Sequence, residues 1–411
     1  MNPKSSSRSP HVTRRALLGG TAGLAAAGAL APSVRAASGV AFKPVLVQVF
    51  LRGGMDGLTA VVPHGDAHLY SLRPAIAIQP PGAPNGALDL DGFFGLAPAA
   101  APFLTPWGNG HLLIVHACGS TDTTRSHFEA EKRMEYGELP DGSPLSGWAA
   151  RYLHATQGPA SGPLRGVGVG SNLPHTLFAA PRTLAMRNFT IALPGVGTTV
   201  FQRRDALVAT YARRRPAISA PALDTIASLD LSDVDFDNYM PANGAQYPLS
   251  ELGRRMRDVA ALIKSDPGVE VISLDVFGWD LHASLGPIGG AMAQLLDDLT
   301  RSLEAFYLDM LGNLDDYLLV CLSEFGRRAR ENGSGGTDHG HGNAMFVMGD
   351  VNGGQVLADW PGLSPDDLDN GDLDITIDYR DVLGEILVER LGITDLGPIF
   401  PQHTYTPLGV T

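Results

Sequence analysis

Four short stretches of this sequence place carboxylates and imidazoles where they could hold a metal ion. Asp56 stands in Arg52-Gly53-Gly54-Met55-Asp56-Gly57, and Asp280 and His282 stand in Phe277-Gly278-Trp279-Asp280-Leu281-His282. Glu324 follows Ser323 and precedes Phe325-Gly326. Asp338, His339 and His341 lie in Thr337-Asp338-His339-Gly340-His341-Gly342. Carboxylates mixed with imidazoles are the donor set for zinc, manganese or a similar divalent ion, whereas carboxylates alone suit magnesium or calcium. Each stretch also has a plainer reading. An Asp after two glycines is a turn residue, and Asp-x-His in a loop is a local hydrogen-bonded pair.

A run of hydroxyls, Ser120-Thr121-Asp122-Thr123-Thr124-Arg125-Ser126, leads into His127 and a helix-like segment. Thr123, Thr124 and Ser126 are either helix caps or the source of an activated hydroxyl nucleophile, with His127 as a base or ligand beside it. A helix N-terminus there would favour an anionic substrate group. The loop Arg327 to Gly336 carries Arg327, Arg328 and Arg330 among glycines, which reads as a mobile flap able to bind an anionic ester or as a solvated basic loop. The acidic stretch Asp366 to Asp372 does not fit a calcium loop, because Leu368 and Ile377 fall where oxygen ligands are required. It reads as solvated.

The elements that must position these residues alternate in type. Pro44 to Leu51, His111 to Cys118, Val269 to Val276 and Tyr317 to Leu322 are apolar runs of strand length, and Ala344 to Met348 is a fifth. Between them, Ile288, Met292, Leu295, Leu299, Leu303, Phe306 and Met310 recur at helical steps. Leu252, Met256, Val259 and Ile263 mark another helix behind Ser250, and Val382, Leu383, Ile386, Leu387 and Leu391 a last one after Asp378. Strands alternating with helices predict an α/β fold with a mostly parallel sheet covered on both faces. Ligands in such folds sit at the carboxyl ends of the strands, so the four metal-type stretches are expected on one rim. Residues 158–248, rich in Gly and Pro, read as a cap or insertion within a single domain spanning 37–411.

Across 411 residues, 30 Lys and Arg face 43 Asp and Glu, for a net charge of −13. Five of the basic residues fall in the first 36 positions, so the remainder is more acidic still. Such a surface repels phosphate backbones and argues against nucleic-acid binding. Arg14 and Arg15 precede a short, Gly-diluted apolar run and Pro32-Ser33-Val34-Arg35-Ala36, which predicts a twin-arginine signal peptide over residues 1–36. The expected partner is therefore the twin-arginine export machinery, with a periplasmic or otherwise exported product that keeps no membrane span after cleavage. Cys118 and Cys321 each lie in an apolar strand and read as buried free thiols.

The stretches LRGGMDGLTAVVP, TTRSHFEAEKRMEYG, FGWDLH, SEFGRRARENGSGGTDHGHGNAMFVMG and TIDYRDVL, in this order behind the leader, resemble the bacterial family called domain of unknown function 1501. That resemblance implies an alkaline phosphatase-like, three-layer α/β/α sandwich related to the sulfatases, with one or two metal ions on a rim of the sheet. It implies Asp56, Asp280, His282, Asp338 and His339 as metal ligands, with Ser126 as nucleophile and Thr123 and Thr124 as rivals. The sulfatase pattern Cys-x-Pro-x-Arg is not met, since Cys118-Gly119-Ser120-Thr121-Asp122 ends in Asp. Asp280-x-His282 is shorter than the Asp-x-x-x-His of alkaline phosphatases, and Glu324 stands where many relatives carry Asp. The implied activity is metal-dependent hydrolysis of a small anionic phosphate or related ester, by a hydroxyl nucleophile or by metal-bound water. A non-catalytic exported metal-binding or scaffold protein is the alternative.

Overall fold

The apolar runs become strands of one central sheet because their side chains can be buried on both of its faces. A computed structural model describes residues 43–138, 146–158, 161–187, 189, 198–228, 236–266 and 268–411. The segment read as a twin-arginine signal peptide, residues 1–36, lies outside the described residues. In chain order the sheet strands are β1 (Val45–Arg52), β2 (Leu112–Gly119), β3 (Gly166–Val169), β4 (Thr183–Ala185), β5 (Val271–Phe277), β6 (Tyr317–Leu322), β7 (Asn343–Gly349), β8 (Gln355–Leu357) and β9 (Ile377–Asp378). Their lateral order is β8-β2-β7-β6-β1-β5-β3-β4, with β9 pairing to the end of β2. All pairings are parallel except those of β7, which runs antiparallel to both β2 and β6. β1, β2, β5 and β6 therefore share one carboxyl rim.

Alternation along β1 divides the core into two. Val47, Val49 and Leu51 point to one face, where they join Val259 and Leu262 of helix Glu251–Ser265 and Leu299 and Phe306 of helix Ala291–Asp309. Leu46 and Phe50 point to the other, against Trp148, Tyr152, Val382 and Leu383. Each such buried side chain contributes about 1.5–3 kcal/mol. Helices on both faces of a mostly parallel sheet make a three-layer α/β/α sandwich. The two cysteines are buried free thiols in it.

The helix over 251–265 forms as its spacing predicts, with the Ser250 hydroxyl accepting from Gly253 N at 2.9 Å. The long helix starts later than expected, at Ala291. Gly289 at φ +75° breaks the pattern, and Ile288 is left outside and exposed. The last helix begins behind Asp378, whose carboxylate accepts from Arg380 N, and Val382, Leu383, Ile386, Leu387 and Leu391 are all buried.

Part of the region read as a cap is sheet. β3 pairs with β5, and β4 pairs with β3, so both extend the central sheet rather than cover it. Their shortness conceals this: β3 is the four residues GVGV and β4, at the sheet edge, only the three residues TLA. Helices Thr198–Tyr211 and Pro216–Ser228 pack against each other. Tyr239 and Tyr247 each donate a hydroxyl hydrogen bond at 2.9 Å to the buried Asp309 carboxylate, which ties this segment to the long helix. Lys43–Thr411 form one compact unit. Among the described residues no helix is long and apolar enough to cross a membrane.

Candidate metal centre

Four loops meet at the carboxyl rim. β1 leaves the sheet through Gly53 (φ +114°) and Gly54 (φ +62°), a left-handed pair that glycine tolerates best. A Cβ on Gly53 would lie 2.6 Å from Asp280 N, so this glycine also lets the loop after β5 close in. That loop delivers Asp280 and His282. The helix His127–Tyr136, after β2, delivers His127 at its first turn, and the loop between β6 and β7 delivers His339.

His127, Asp280 and His339 each present a donor atom, all within 4.8 Å of one another. Oδ1 of Asp280 lies 3.3 Å from Nε2 of His127, 3.2 Å from Nε2 of His339 and 3.0 Å from Nε2 of His282. Nε2 of His282 and Nε2 of His339 are 2.8 Å apart. The opposite nitrogen of each ring is engaged elsewhere. Nδ1 of His127 donates to Glu324 Oε1 at 2.6 Å, Nδ1 of His339 to the Arg125 carbonyl at 2.6 Å, and Nδ1 of His282 approaches Asp338 Oδ1 at 3.3 Å. These bonds select the tautomer in which the Nε2 lone pairs face Asp280. Nε2 of His127 is buried and has no hydrogen-bond partner. Three lone pairs and a carboxylate turned toward one another repel unless a cation lies among them, so the donor set fits a divalent ion.

With the imidazoles protonated, their charge adds to that of Arg327 at Asp280. Burial would raise the Asp280 carboxyl, but the Arg327 guanidinium, donating at 2.8 Å, and the neighbouring imidazoles bring it down to about 2. Burial would also raise Glu324, yet the bonds from His127, Gly53 N and Ser323 hold it below the usual range. The Glu324 bond raises His127, with burial opposing, while burial lowers His339.

Other residues expected as ligands have different work. Asp56 caps the short helix Gly57–Ala60 by accepting from Thr59 N, and its buried carboxylate takes Arg73 Nη1 at 2.8 and 2.9 Å and the Thr337 hydroxyl at 3.1 Å. Glu324 orients His127 and bonds Gly53 N, so both of its oxygens are engaged away from the four-donor group. Asp338 bonds Asn332 Nδ2 at 3.0 Å and borders His282. His341 faces Thr123 O at 3.3 Å and Asp369 and Asp372 at 3.5 and 3.6 Å.

The arginine loop departs from a mobile flap. Arg327 is buried and donates to the carbonyls of Gly54, Thr337, Trp279 and Gly53 as well as to Asp280. It braces the rim and is not open to substrate. The loop's far end is pinned by Ser284 N to Ser334 O and Leu285 N to Gly335 O, at 2.9 and 2.8 Å. Arg330 is exposed. Arg328 lines an open depression of about 320 Å³ with Arg125, His282, Asp338 and His339.

Arg125, Asp372 and Arg73 were not legible as site residues. Asp372, within the stretch read as solvated, is fully buried and binds Arg125 Nη2 and, at 3.3 Å, Arg328 Nε. Arg125 offered one signal, its position between the hydroxyl run and His127. Ser126 is the residue before the helix, exposed, and its side chain makes no capping bond; Thr124 Oγ1 accepts from Ser126 N at 3.3 Å.

The family described as Protein of unknown function (DUF1501) matches residues 114–393. The chain belongs to this family. A comparison with curated proteins finds no match. Among solved structures, a protein in the alkaline phosphatase superfamily from Vibrio parahaemolyticus is 12% identical with a TM-score of 0.39, covering 87% of this chain and 69% of that one. The PsFucS1 sulfatase from Pseudoalteromonas sp. is 15% identical, at 0.36, covering 86% and 68%. The phosphonate monoester hydrolase of Agrobacterium radiobacter is 10% identical, at 0.29, covering 85% and 74%. With scores this low, the α/β/α assignment rests on the strand order and the two-faced core of the chain itself.

Proposed function

We propose that this protein is a metal-dependent hydrolase of phosphate or related esters, exported through the twin-arginine route. One observation carries the reading: three imidazole Nε2 atoms face Asp280 beside an open depression lined by Arg125 and Arg328. The nitrogen-rich donor set suits zinc or manganese better than magnesium or calcium. Such an ion supplies positive charge that acidifies a hydroxyl or water and offsets charge on the phosphoryl oxygens.

The chain's own groups divide the remaining work. Arg125 and Arg328 attract the anionic oxygens of an ester at the mouth of the site. Arg327 keeps Asp280 ionised, and Glu324 and the Arg125 carbonyl hold two of the imidazoles in place. Ser126, exposed and directly before His127, is the first choice for an attacking hydroxyl, with Thr123 and Thr124 as rivals and a site-activated water as the other route.

Zinc- or manganese-loaded protein should turn over at least one of aryl phosphate monoesters, diesters or sulfates. Ser126→Ala should abolish turnover with metal retained if serine attacks, and should leave substantial activity if water does. The non-catalytic reading draws on a separate observation: among the described residues no serine or threonine hydroxyl hydrogen-bonds to His127, Asp280, His282 or His339. No turnover of any of these esters by metal-replete protein would favour it. Export rests on Arg14 and Arg15, and replacing both with Lys should leave precursor in the cytoplasm.

A further inference from the structure

We infer that the chain holds a single divalent ion, on His127, His282, His339 and Asp280, and that Asp56 takes no part in binding it because an internal guanidinium already occupies its carboxylate. The inference rests on the metal-binding reading above and goes beyond it in ion count and in the role of Asp56.

The reasoning is an account of where each donor is spent. Asp56 and Arg73 are both buried, with side chains 2% and 1% exposed, and Arg73 Nη1 meets the two carboxylate oxygens at 2.8 and 2.9 Å. Thr59 N and the Thr337 hydroxyl bond the same two oxygens. Arg73 is itself anchored, Nε to Ala329 O at 2.9 Å and Nη2 to Arg328 O at 2.8 Å, so the guanidinium cannot swing away without breaking its bonds to two carbonyls and leaving the buried carboxylate without its counter-charge. A second cation beside Asp56 would face this fixed positive charge in a buried setting, where like charges are poorly screened. Glu324 is similarly engaged, by His127 and Gly53 N on one oxygen and Ser323 on the other. His341 lies toward Asp369 and Asp372. What is left among the described residues is one group of donors, four side chains around Asp280 Oδ1, and that is enough for one ion.

The pairing also explains why a carboxylate is present at position 56. It caps the helix that starts at Gly57 and neutralises an arginine that ties the segment after that helix to the Arg328–Ala329 backbone. Its role is structural cohesion of the rim.

Metal content of the full chain, stripped with chelator and titrated with zinc in a calorimeter, tests this, with elemental analysis as a second count. Wild type should bind one ion per chain. Asp56→Asn should keep one ion, at an affinity within about threefold of wild type, while its melting temperature falls by several degrees. His339→Ala should lose at least tenfold in affinity. Should Asp56→Asn fail to fold, the wild-type stoichiometry and Arg73→Gln decide: one ion in both agrees with the inference. Two ions in wild type, or a second ion gained by Arg73→Gln together with loss of metal in folded Asp56→Asn, overturn it while leaving the metal-binding reading intact. No zinc bound by wild type overturns both.

Discussion

Nδ1 of His127 donates to Oε1 of Glu324 at 2.6 Å, across 197 positions of sequence. The bond sets which nitrogen of the ring faces Asp280. Glu324→Ala should free the ring to turn and to adopt the other tautomer, lowering zinc affinity by about 10–100-fold. Glu324→Gln, which can still accept from Nδ1, should lose less. Competition against a chromophoric chelator reads both, and unchanged affinity in the alanine variant would remove Glu324 from the centre.

Arg125 acts twice, through its carbonyl on His339 and through its side chain beside the depression. Arg125→Gln preserves the carbonyl. Zinc binding should therefore persist while the affinity for inorganic phosphate falls about tenfold, the scale of one charge-assisted hydrogen bond. Phosphate titration of zinc-loaded protein measures it, and equal affinity in the variant would show that the side chain does not meet the anion.

Glu385 is buried, and its carboxylate accepts from four successive amides of the C-terminal tail: Leu408 N at 2.7 Å and Gly409 N at 2.9 Å on Oε2, Val410 N at 2.5 Å and Thr411 N at 3.1 Å on Oε1. Glu385→Gln replaces one acceptor oxygen by an amide that confronts N–H donors. It should cost about 2 kcal/mol in urea unfolding, with faster amide exchange over 408–411. A stability equal to wild type would mean that the tail is held by the burial of Val410 instead.

Burial pushes the His116 imidazole down to about 4 from the ordinary 6.5, against the opposing pull of its bond to Val61 O and of the Asp56 charge. Its Nδ1 accepts from Ala117 N at 2.8 Å, a bond that only the neutral ring can make. The unfolded chain takes up this proton as pH falls below 6.5 and the folded chain does not until about 4. The stabilisation is present above 6.5 and is lost on acidification through that window. At about 1.4 kcal/mol per pKa unit, His116 should account for about 2 kcal/mol of the stability lost between pH 7 and pH 5. His116→Gln should flatten that part of the profile; an unchanged slope would place the acid sensitivity elsewhere.

Much of the architecture was written locally. Continuous apolar runs such as VLVQVFL at 45–51 can be buried on both faces in a parallel sheet, and three- and four-residue spacing such as Leu252, Met256, Val259, Ile263 buries one face of a helix. Both patterns depend on near neighbours in the chain, so strands, helices and the rim where polar residues gather could be read from the sequence. The antiparallel course of β7, the sheet membership of β3 and β4 and the division of labour among the polar residues depend on partners far away. Asp56 looked like a ligand until Arg73 was packed onto it, and Glu324 became the holder of His127 only when helix His127–Tyr136 came to rest beside the end of β6. Asp372 looked solvated, yet it is buried beneath Arg125, 247 positions away. A side chain's type limits the chemistry it can do, whereas its desolvation and its partner determine which of those chemistries it performs, and both are properties of tertiary packing.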